Sequence, residues 1–113
     1  MAYSWAAKDI KFEDHPKFSG VKIAVLVDSA KTDRMSVSIL KIAPGVEIPV
    51  HTHDVQLDSI YVVEGHGEAL VNGNWIPVGP GDYILVLPQE EHAVRNNGGQ
   101  ELMLFIVHSP PLF

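Results

Sequence analysis

The chain has 113 residues, a formal net charge of −6 and no cysteine. This length supports one hydrophobic core, so we predict a single domain over residues 1–113. The acidic charge disfavours nucleic acid and anionic membranes as partners, and the lack of cysteine excludes disulfides, thiolate metal sites and a cysteine nucleophile. The first residues lack the basic and apolar regions of a signal peptide, and no apolar run is long enough to cross a bilayer, so we predict a cytoplasmic protein.

Residues 1–20 sustain no helical period and carry Trp5, Phe12 and Phe18 among charged residues. We therefore predict an irregular N-terminal arm or edge strand that lays aromatic side chains over the barrel or over a partner subunit. Nine short strands are predicted after it, at residues 22–28, 35–42, 46–53, 59–63, 68–71, 75–78, 83–87, 92–95 and 101–108.

Turn residues separate these strands about every 8–12 residues, and no segment has a convincing helical pattern. Asn72-Gly73 is a strong hairpin signal between two of the strands, and Pro49 is expected to make the third strand an edge or a bulged strand. This pattern is typical of an all-β sandwich or barrel.

His51 and His53 are two residues apart in a segment with strand character. Side chains at that spacing leave the same face of a strand, with Cα atoms about 6.6 Å apart. Two imidazoles in this arrangement can bind one ion, at metal–nitrogen distances of about 2.0–2.1 Å for zinc. The spacing therefore predicts the beginning of a metal site.

Asp58 and His92 are the other two candidate ligands. Asp58 follows after a gap long enough for a turn, and His92 lies in a second strand-turn-strand region. Three imidazoles and one carboxylate suit Zn, Fe, Ni, Cu or Mn better than Ca or Mg. The alternative is a group of buried, hydrogen-bonded histidines that binds no metal, with Asp58 orienting one of them.

The same residues resemble the first motif of the cupin superfamily. That motif consists of Gly, five residues, His-x-His, three or four residues, Glu, six residues and Gly. In this chain Gly45, His51, His53 and Gly65 stand at those intervals, and Asp58 stands in the place of the motif's glutamate.

The second cupin motif consists of Gly, five residues, Pro-x-Gly, two residues, His, three residues and Asn. Gly81, His92 and Asn96 keep that spacing, whereas Pro88 comes one residue late and residues 89–91 contain no glycine. The resemblance covers residues 35–108. It implies a double-stranded β-helix, a jelly-roll-like barrel, with these residues as its core.

The resemblance also implies one divalent transition metal inside the barrel, held by the residues that match the motif ligands: His51, His53, Asp58 and His92. Asp58 is one methylene shorter than glutamate, so it either binds the metal directly or serves as a hydrogen-bond partner of a ligand.

Two functions from different classes are compatible with such a site. The first is a small metalloenzyme of the dioxygenase, isomerase or decarboxylase type, acting on a small organic acid or an enolisable carbonyl compound. The second is a non-catalytic cupin that binds a small ligand or acts as a sensor. The fold does not choose between them.

The remaining polar residues near the motifs are expected to have no chemical role. His15 and His66 are predicted to be exposed, and His108 to be structural. The loop at Glu90 and Glu91 is predicted to be solvated and acidic rather than to supply a general base. Gln56, between two proposed ligands, either contacts a bound substrate or is exposed.

A homodimer is also predicted. The aromatic N-terminal arm, the last strand with apolar residues on both faces, and the tail Pro110–Phe113 would leave apolar surface exposed on a monomer. The last strand is therefore expected to be buried on both faces or paired at an interface.

Overall fold

The chain forms ten β-strands and one 3₁₀ turn in the computed structural model, which describes residues 1–113. The turn is Ala7–Asp9. The strands are β1 (Glu13–Asp14), β2 (Val21–Val27), β3 (Ser36–Ile42), β4 (Glu47–His51), β5 (Leu57–Glu64), β6 (Gly67–Val71), β7 (Asn74–Val78), β8 (Tyr83–Val86), β9 (His92–Arg95) and β10 (Leu102–Ser109). The chain has no helix with the length and apolar character needed to cross a membrane.

All strand pairs are antiparallel and belong to two sheets. The larger sheet has the order β1-β2-β3-β10-β5-β8, and the smaller one has the order β4-β9-β6-β7. A hydrophobic core lies between them, because apolar side chains from both sheets pack into one cluster. The predicted all-β double-stranded β-helix is confirmed. The tenth strand is the two-residue β1, which is too short to leave a sequence pattern.

Two local sequence features define the smaller sheet. Asn72 and Gly73 both have positive φ, at 52° and 78°, which matches the tight turn that Asn-Gly favours between β6 and β7. β4 lies at the edge of its sheet, and its register with β9 shifts between Ile48 and His51, around Pro49. Both predictions, the hairpin and the edge or bulged strand, are confirmed.

β10 is buried on one face only within this chain, so the first of its two predicted environments is wrong and pairing at an interface stays a prediction. Its inward side chains, such as Leu104 and Ile106, are buried, but the opposite face is only half-buried at Met103 and Val107 and exposed at Phe105. Apolar residues on both faces of a strand predict burial only if something covers both faces, and within this chain only the inner face is covered.

Asn96 connects the two sheets behind the end of β9. Its side-chain amide donates to the backbone oxygens of Ile42 (2.9 Å) and Gln100 (2.7 Å), and its side-chain oxygen accepts from Gly98 N–H (3.0 Å). Asn96 is 1% exposed, so these bonds are protected from water. Asn96 therefore holds the smaller sheet against β3, which helps to position His92 at the other end of β9.

Candidate metal centre in the barrel cavity

The proposed ligands come from both sheets. His51 is the last residue of β4 and lies opposite His92, the first residue of β9, in the smaller sheet. Asp58 on β5 lies opposite His108 on β10 in the larger sheet, and His53 follows β4 in a loop. One ligand atom from each of His51, His53, Asp58 and His92 lies within 4.8 Å of the others. The fold thus brings the four predicted residues together in a cluster that could hold a metal ion.

Asp58 is at the centre of the cluster and is 4% exposed. Its Oδ2 lies 3.0 Å from His92 Nε2, and 3.3 Å from Nε2 of both His53 and His108. Only the contact with His92 has the geometry of a hydrogen bond. The other carboxylate oxygen, Oδ1, is buried without a partner. A buried carboxylate surrounded by imidazole nitrogens is the environment expected of a cation site.

The contacts within the cluster lower the pKa of Asp58 and raise the pKa of His92. Burial acts to raise the pKa of Asp58, but the imidazoles of His108, His53 and His92 outweigh it and hold that pKa well below its usual range. Burial acts to lower the pKa of His92, but hydrogen bonds to Asp58 and to the Glu90 carbonyl raise it overall. Asp58 therefore stays ionised at neutral pH and draws a positive charge towards His92.

Hydrogen bonds at the back of two rings aim their other nitrogens into the cluster. His51 Nδ1 donates to Pro49 O at 2.8 Å, and His92 Nδ1 donates to Glu90 O at 3.0 Å. A carbonyl can only accept, so Nδ1 carries the hydrogen and Nε2 of the neutral ring has a free lone pair. In His92 the Nε2 atom faces the carboxylate of Asp58 at 3.0 Å, so this contact is satisfied either by a proton on Nε2 or by a metal ion bound to both groups. This donor set fits a divalent transition metal.

The pKa of His51 is shifted in the direction that favours a metal ligand. Burial lowers the pKa most, the hydrogen bond to the Pro49 carbonyl opposes the shift, and the nearby charges of His92 and His53 lower the pKa further. A ring with a lowered pKa stays neutral at mildly acidic pH, and only the neutral ring binds metal.

The cluster opens into a cavity of about 400 Å³ between the sheets. Half of the 20 residues that line the cavity are hydrophobic, and Asp58 is the only acidic one. A cavity of this size with a few convergent polar groups is the usual form of a small-molecule site.

Residues 38–108, which include all of β4 to β9 and most of β3 and β10, match the family described as Cupin domain. The chain belongs to the cupin family. The matched segment contains all four candidate ligands as well as both motifs that suggested the resemblance.

Two proteins are similar in sequence to part of this cupin. An oxalate-binding protein from Thermotoga maritima is 28% identical over 68 residues, which is 60% of this chain and 56% of that protein. An L-ectoine synthase from Vibrio campbellii is 31% identical over 85 residues, which is 73% of this chain and 66% of the synthase. The chain therefore spans less than two thirds of the length of either relative.

Solved structures share the fold of this cupin almost end to end. A predicted oxalate decarboxylase from Thermotoga maritima superimposes with a TM-score of 0.87 at 23% identity, covering 96% of this chain and 99% of that one. The polyketide cyclase RemF from Streptomyces resistomycificus has a TM-score of 0.85 at 25% identity, covering 96% and 80%. Ectoine synthase from P. lautus has a TM-score of 0.81 at 21% identity, covering 99% and 80%. These three proteins have different names, and what they share with this chain is the double-stranded β-helix fold.

His15 is placed differently from its prediction, and His108 lies in the lining of the cavity. His15, expected to be exposed, is half-buried and lines the cavity, where its ring packs on Phe18 with centroids 4.7 Å apart. His108, expected to be structural, lines the cavity beside Asp58, and neither of its ring nitrogens has a hydrogen-bond partner. The alternation Leu102, Leu104, Ile106 continues to His108 on one strand face, and that period would have predicted an inward histidine.

The other polar residues near the motifs are accounted for by local contacts. Glu90 Oε1 accepts from Leu87 N–H at 2.8 Å, which closes the turn before β9, and Glu91 is exposed. The Gln56 side chain is half-buried and donates to Pro111 O at 3.3 Å. His66 is exposed, as predicted.

Gln89 occupies the position that the second motif gives to glycine, three residues before His92. Its φ is +67°, in the left-handed region that favours glycine. Its backbone N–H donates to His53 O at 2.7 Å, so this turn contacts the loop of a candidate ligand. This chain therefore has a residue with a side chain in the left-handed conformation where the motif has glycine, and that conformation is strained.

Replacing Gln89 with glycine should therefore stabilise the protein. Relief of left-handed strain is worth about 1–2 kcal/mol, and the extra flexibility of glycine in the unfolded chain costs about 0.5–1 kcal/mol. We expect the melting temperature to rise by roughly 2–6 °C, measured by circular dichroism. Glu91→Gly, at an exposed residue without positive φ, is the control and should lower it. An equal decrease in both variants would contradict the prediction.

Proposed function

We propose that this cupin binds one divalent transition metal (Fe, Mn, Ni, Zn or Cu) through His51, His53, Asp58 and His92. We further propose that it is a small metalloenzyme acting on a small organic acid or an enolisable carbonyl compound. The observation that carries the proposal is the convergence of three imidazoles and one carboxylate, within 4.8 Å of one another, at a cavity between the sheets.

Each group at the site has a separate role in the proposed chemistry. The metal, when bound, supplies a Lewis acid that polarises the carbonyl or carboxylate oxygens of the substrate. Asp58 offsets part of the charge of the metal, and its ionisation is supported by the lowered pKa described above. The carbonyls of Pro49 and Glu90 orient His51 and His92 through Nδ1. The apolar walls exclude water from the reacting end of the substrate.

The first test is metal content. Mass spectrometry of protein purified without an affinity tag should give about one transition metal per chain. The double variant His51→Ala/His92→Ala should contain none, because it loses the facing ligands of β4 and β9. His66→Ala, at an exposed histidine outside the cluster, should keep the metal. Circular dichroism of all three proteins shows whether loss of metal reflects loss of the fold, and a native protein that takes up no added ion would contradict the proposal.

A non-catalytic cupin that binds or senses a small ligand is the second candidate. The composition of the cavity favours it, since no acidic residue other than Asp58 lines the cavity and could serve as a separate carboxylate base. One relative is named for binding oxalate rather than converting it. Bound Fe, Mn, Cu or Ni together with turnover of a ligand would support the enzyme, whereas binding without turnover would support the sensor.

We also propose that residues 1–113 act as one cytoplasmic domain and form a homodimer through the outer face of the larger sheet. Three exposed aromatic side chains lie side by side there, because Phe105 pairs with Tyr61 and Tyr61 pairs with Tyr83 in register. An exposed apolar patch of this kind supports a protein interface. The net charge of −6 supports a small molecule rather than nucleic acid or membrane as the other partner.

Phe105→Lys should convert this dimer to a monomer, because it places a charge within the apolar patch. Sedimentation equilibrium at micromolar concentration should give a dimer for the native protein. Ile76→Lys on β7 is the matched control, since Ile76 is 38% exposed and Phe105 is 37% exposed. A native protein that sediments as a monomer would refute the dimer.

A further inference from the structure

We propose that the natural ligand of this cavity is a carboxylate with a hydrophobic body, rather than a compact polar acid such as oxalate. The carboxylate end would lie at the His/Asp cluster, and an aliphatic or aromatic body of several carbons would fill the rest. This inference rests on the proposed function for the metal-binding end only. The walls of the cavity determine the hydrophobic end.

The walls are apolar on several sides. β2 and β3 contribute Ile23 and Leu40, β4 contributes Ile48, and β10 contributes Leu104, all of them buried. Leu112 in the C-terminal tail closes another side, and its backbone N–H is held by Ser36 Oγ at 2.9 Å. Water against such walls cannot replace the hydrogen bonds it makes in bulk, so an apolar group that displaces it gains affinity.

The polar groups of the cavity favour an anionic end on the ligand. Asp58 is the only acidic residue in the lining, whereas Lys17 and five of the six histidines of the chain also line it. His108 is buried beside Asp58 with both ring nitrogens unpartnered, so it can donate a hydrogen bond to a ligand oxygen. With neutral histidines the charges of Asp58 and Lys17 offset each other, so a divalent metal at the cluster would give the cavity a net positive charge that attracts an anion.

The size of the cavity sets the length of the ligand. A volume of about 400 Å³ corresponds to roughly a dozen water-sized groups. Oxalate has six heavy atoms and no apolar surface, so it would leave most of the wall in contact with water. A monocarboxylic 2-oxo acid with a chain of five to nine carbons would fill the cavity while keeping two adjacent oxygens for chelation.

The test compares a series of 2-oxo acids that share one head group with the dicarboxylate oxalate. The protein is loaded with one equivalent of Zn²⁺, which has no redox chemistry, and titrated calorimetrically with oxalate, pyruvate, 2-oxobutanoate, 2-oxopentanoate and 2-oxohexanoate. Burial of each added methylene should tighten binding by about fourfold, which gives roughly fiftyfold from pyruvate to 2-oxohexanoate. Equal dissociation constants along the series, tightest binding of oxalate, or no binding of any acid at millimolar concentration would overturn the proposal.

Two variants test whether the apolar wall of the cavity causes the dependence of affinity on chain length. Leu112→Ala should reduce the ratio of the pyruvate and 2-oxohexanoate dissociation constants at least threefold and leave Zn²⁺ affinity unchanged. Ile76→Ala, which has nearly the same exposed fraction but lies outside the cavity, should leave that ratio unchanged. A ratio unaffected by Leu112→Ala would also overturn the proposal.

The two proposals fail in different measurements. If Zn²⁺ binds but chain length has no effect, the ligand class is wrong and the metal site stands. If no metal binds while longer acids still bind more tightly, the metal-dependent function is wrong and the hydrophobic ligand class stands.

Discussion

Asp58→Asn is expected to weaken Zn²⁺ binding by about 100-fold or more. Structural zinc sites gain about 10–16 kcal/mol from their ligands, so one of four ligands accounts for roughly 3 kcal/mol, or about two powers of ten. Asparagine has nearly the shape of aspartate, but it removes the only negative charge of the cluster. Competition with a chromophoric chelator at pH 7.5 measures the affinity directly.

Asp54→Asn is the matched control for this substitution. Asp54 is exposed and lies four residues earlier in the same loop region, so its replacement changes the net charge equally and should leave Zn²⁺ affinity unchanged. A loss of only 10–100-fold in Asp58→Asn would indicate that Asp58 orients the histidines without binding the metal. A loss below tenfold would contradict a role for Asp58 in metal binding.

Metal affinity should fall by well over tenfold between pH 7.5 and pH 5.5. Over this range the neutral fraction of a histidine with the usual pKa of about 6.5 falls by about a factor of ten, and a ligand whose pKa is raised, as at His92, loses more. Because only the neutral ring binds metal, acid must weaken binding. The carboxylate of Asp58 contributes little to the pH dependence of metal affinity. Burial acts to raise its pKa, but the surrounding histidines outweigh burial and hold that pKa below this pH range.

The shifted histidines determine where the loss begins. Burial acts to lower the pKa of His92, but the hydrogen bond to Asp58 and the other contacts outweigh burial and raise that pKa above 6.5. Protons therefore compete with the metal for His92 already at pH values above 6.5. Burial lowers the pKa of His51, so competition at that ligand requires more acid. Chelator competition at half-unit steps of pH should therefore show a broad loss that starts above pH 6.5. A constant affinity down to pH 5.5 would contradict ligation by histidine.

The strands and the faces of their side chains could be predicted from local periodicity, because the face on which a side chain lies depends only on its position in its own strand. Tyr61 is three residues after Asp58 on β5, so strand alternation puts it on the opposite face, and Tyr61 is exposed there. Asn72-Gly73 and Pro49 act on their own backbone, so their hairpin and bulge could also be predicted. His51, His53, Asp58 and His92 were selected from motif spacing, and the fold brings them together.

The surroundings of the cluster could not be predicted in the same way. His108 lies 50 residues after Asp58 in the chain, and their contact exists because β10 pairs antiparallel with β5 in one particular register. His15 reaches the cavity because residues near the edge strand β1 fold over its mouth beside Phe18. The left-handed backbone at Gln89 could not be predicted, because glutamine has no preference for that conformation.

The amino-acid sequence by itself thus determined the strands, the turns between them and the four candidate ligands, because each follows from residue type and short spacing. Only the tertiary structure decided which strands are neighbours. That arrangement surrounds Asp58 with histidine nitrogens, lines the cavity with apolar and histidine side chains, and leaves Phe105 exposed on β10. Strand pairing depends on how the two sheets bury their apolar faces together, and that is a property of the whole chain rather than of any segment.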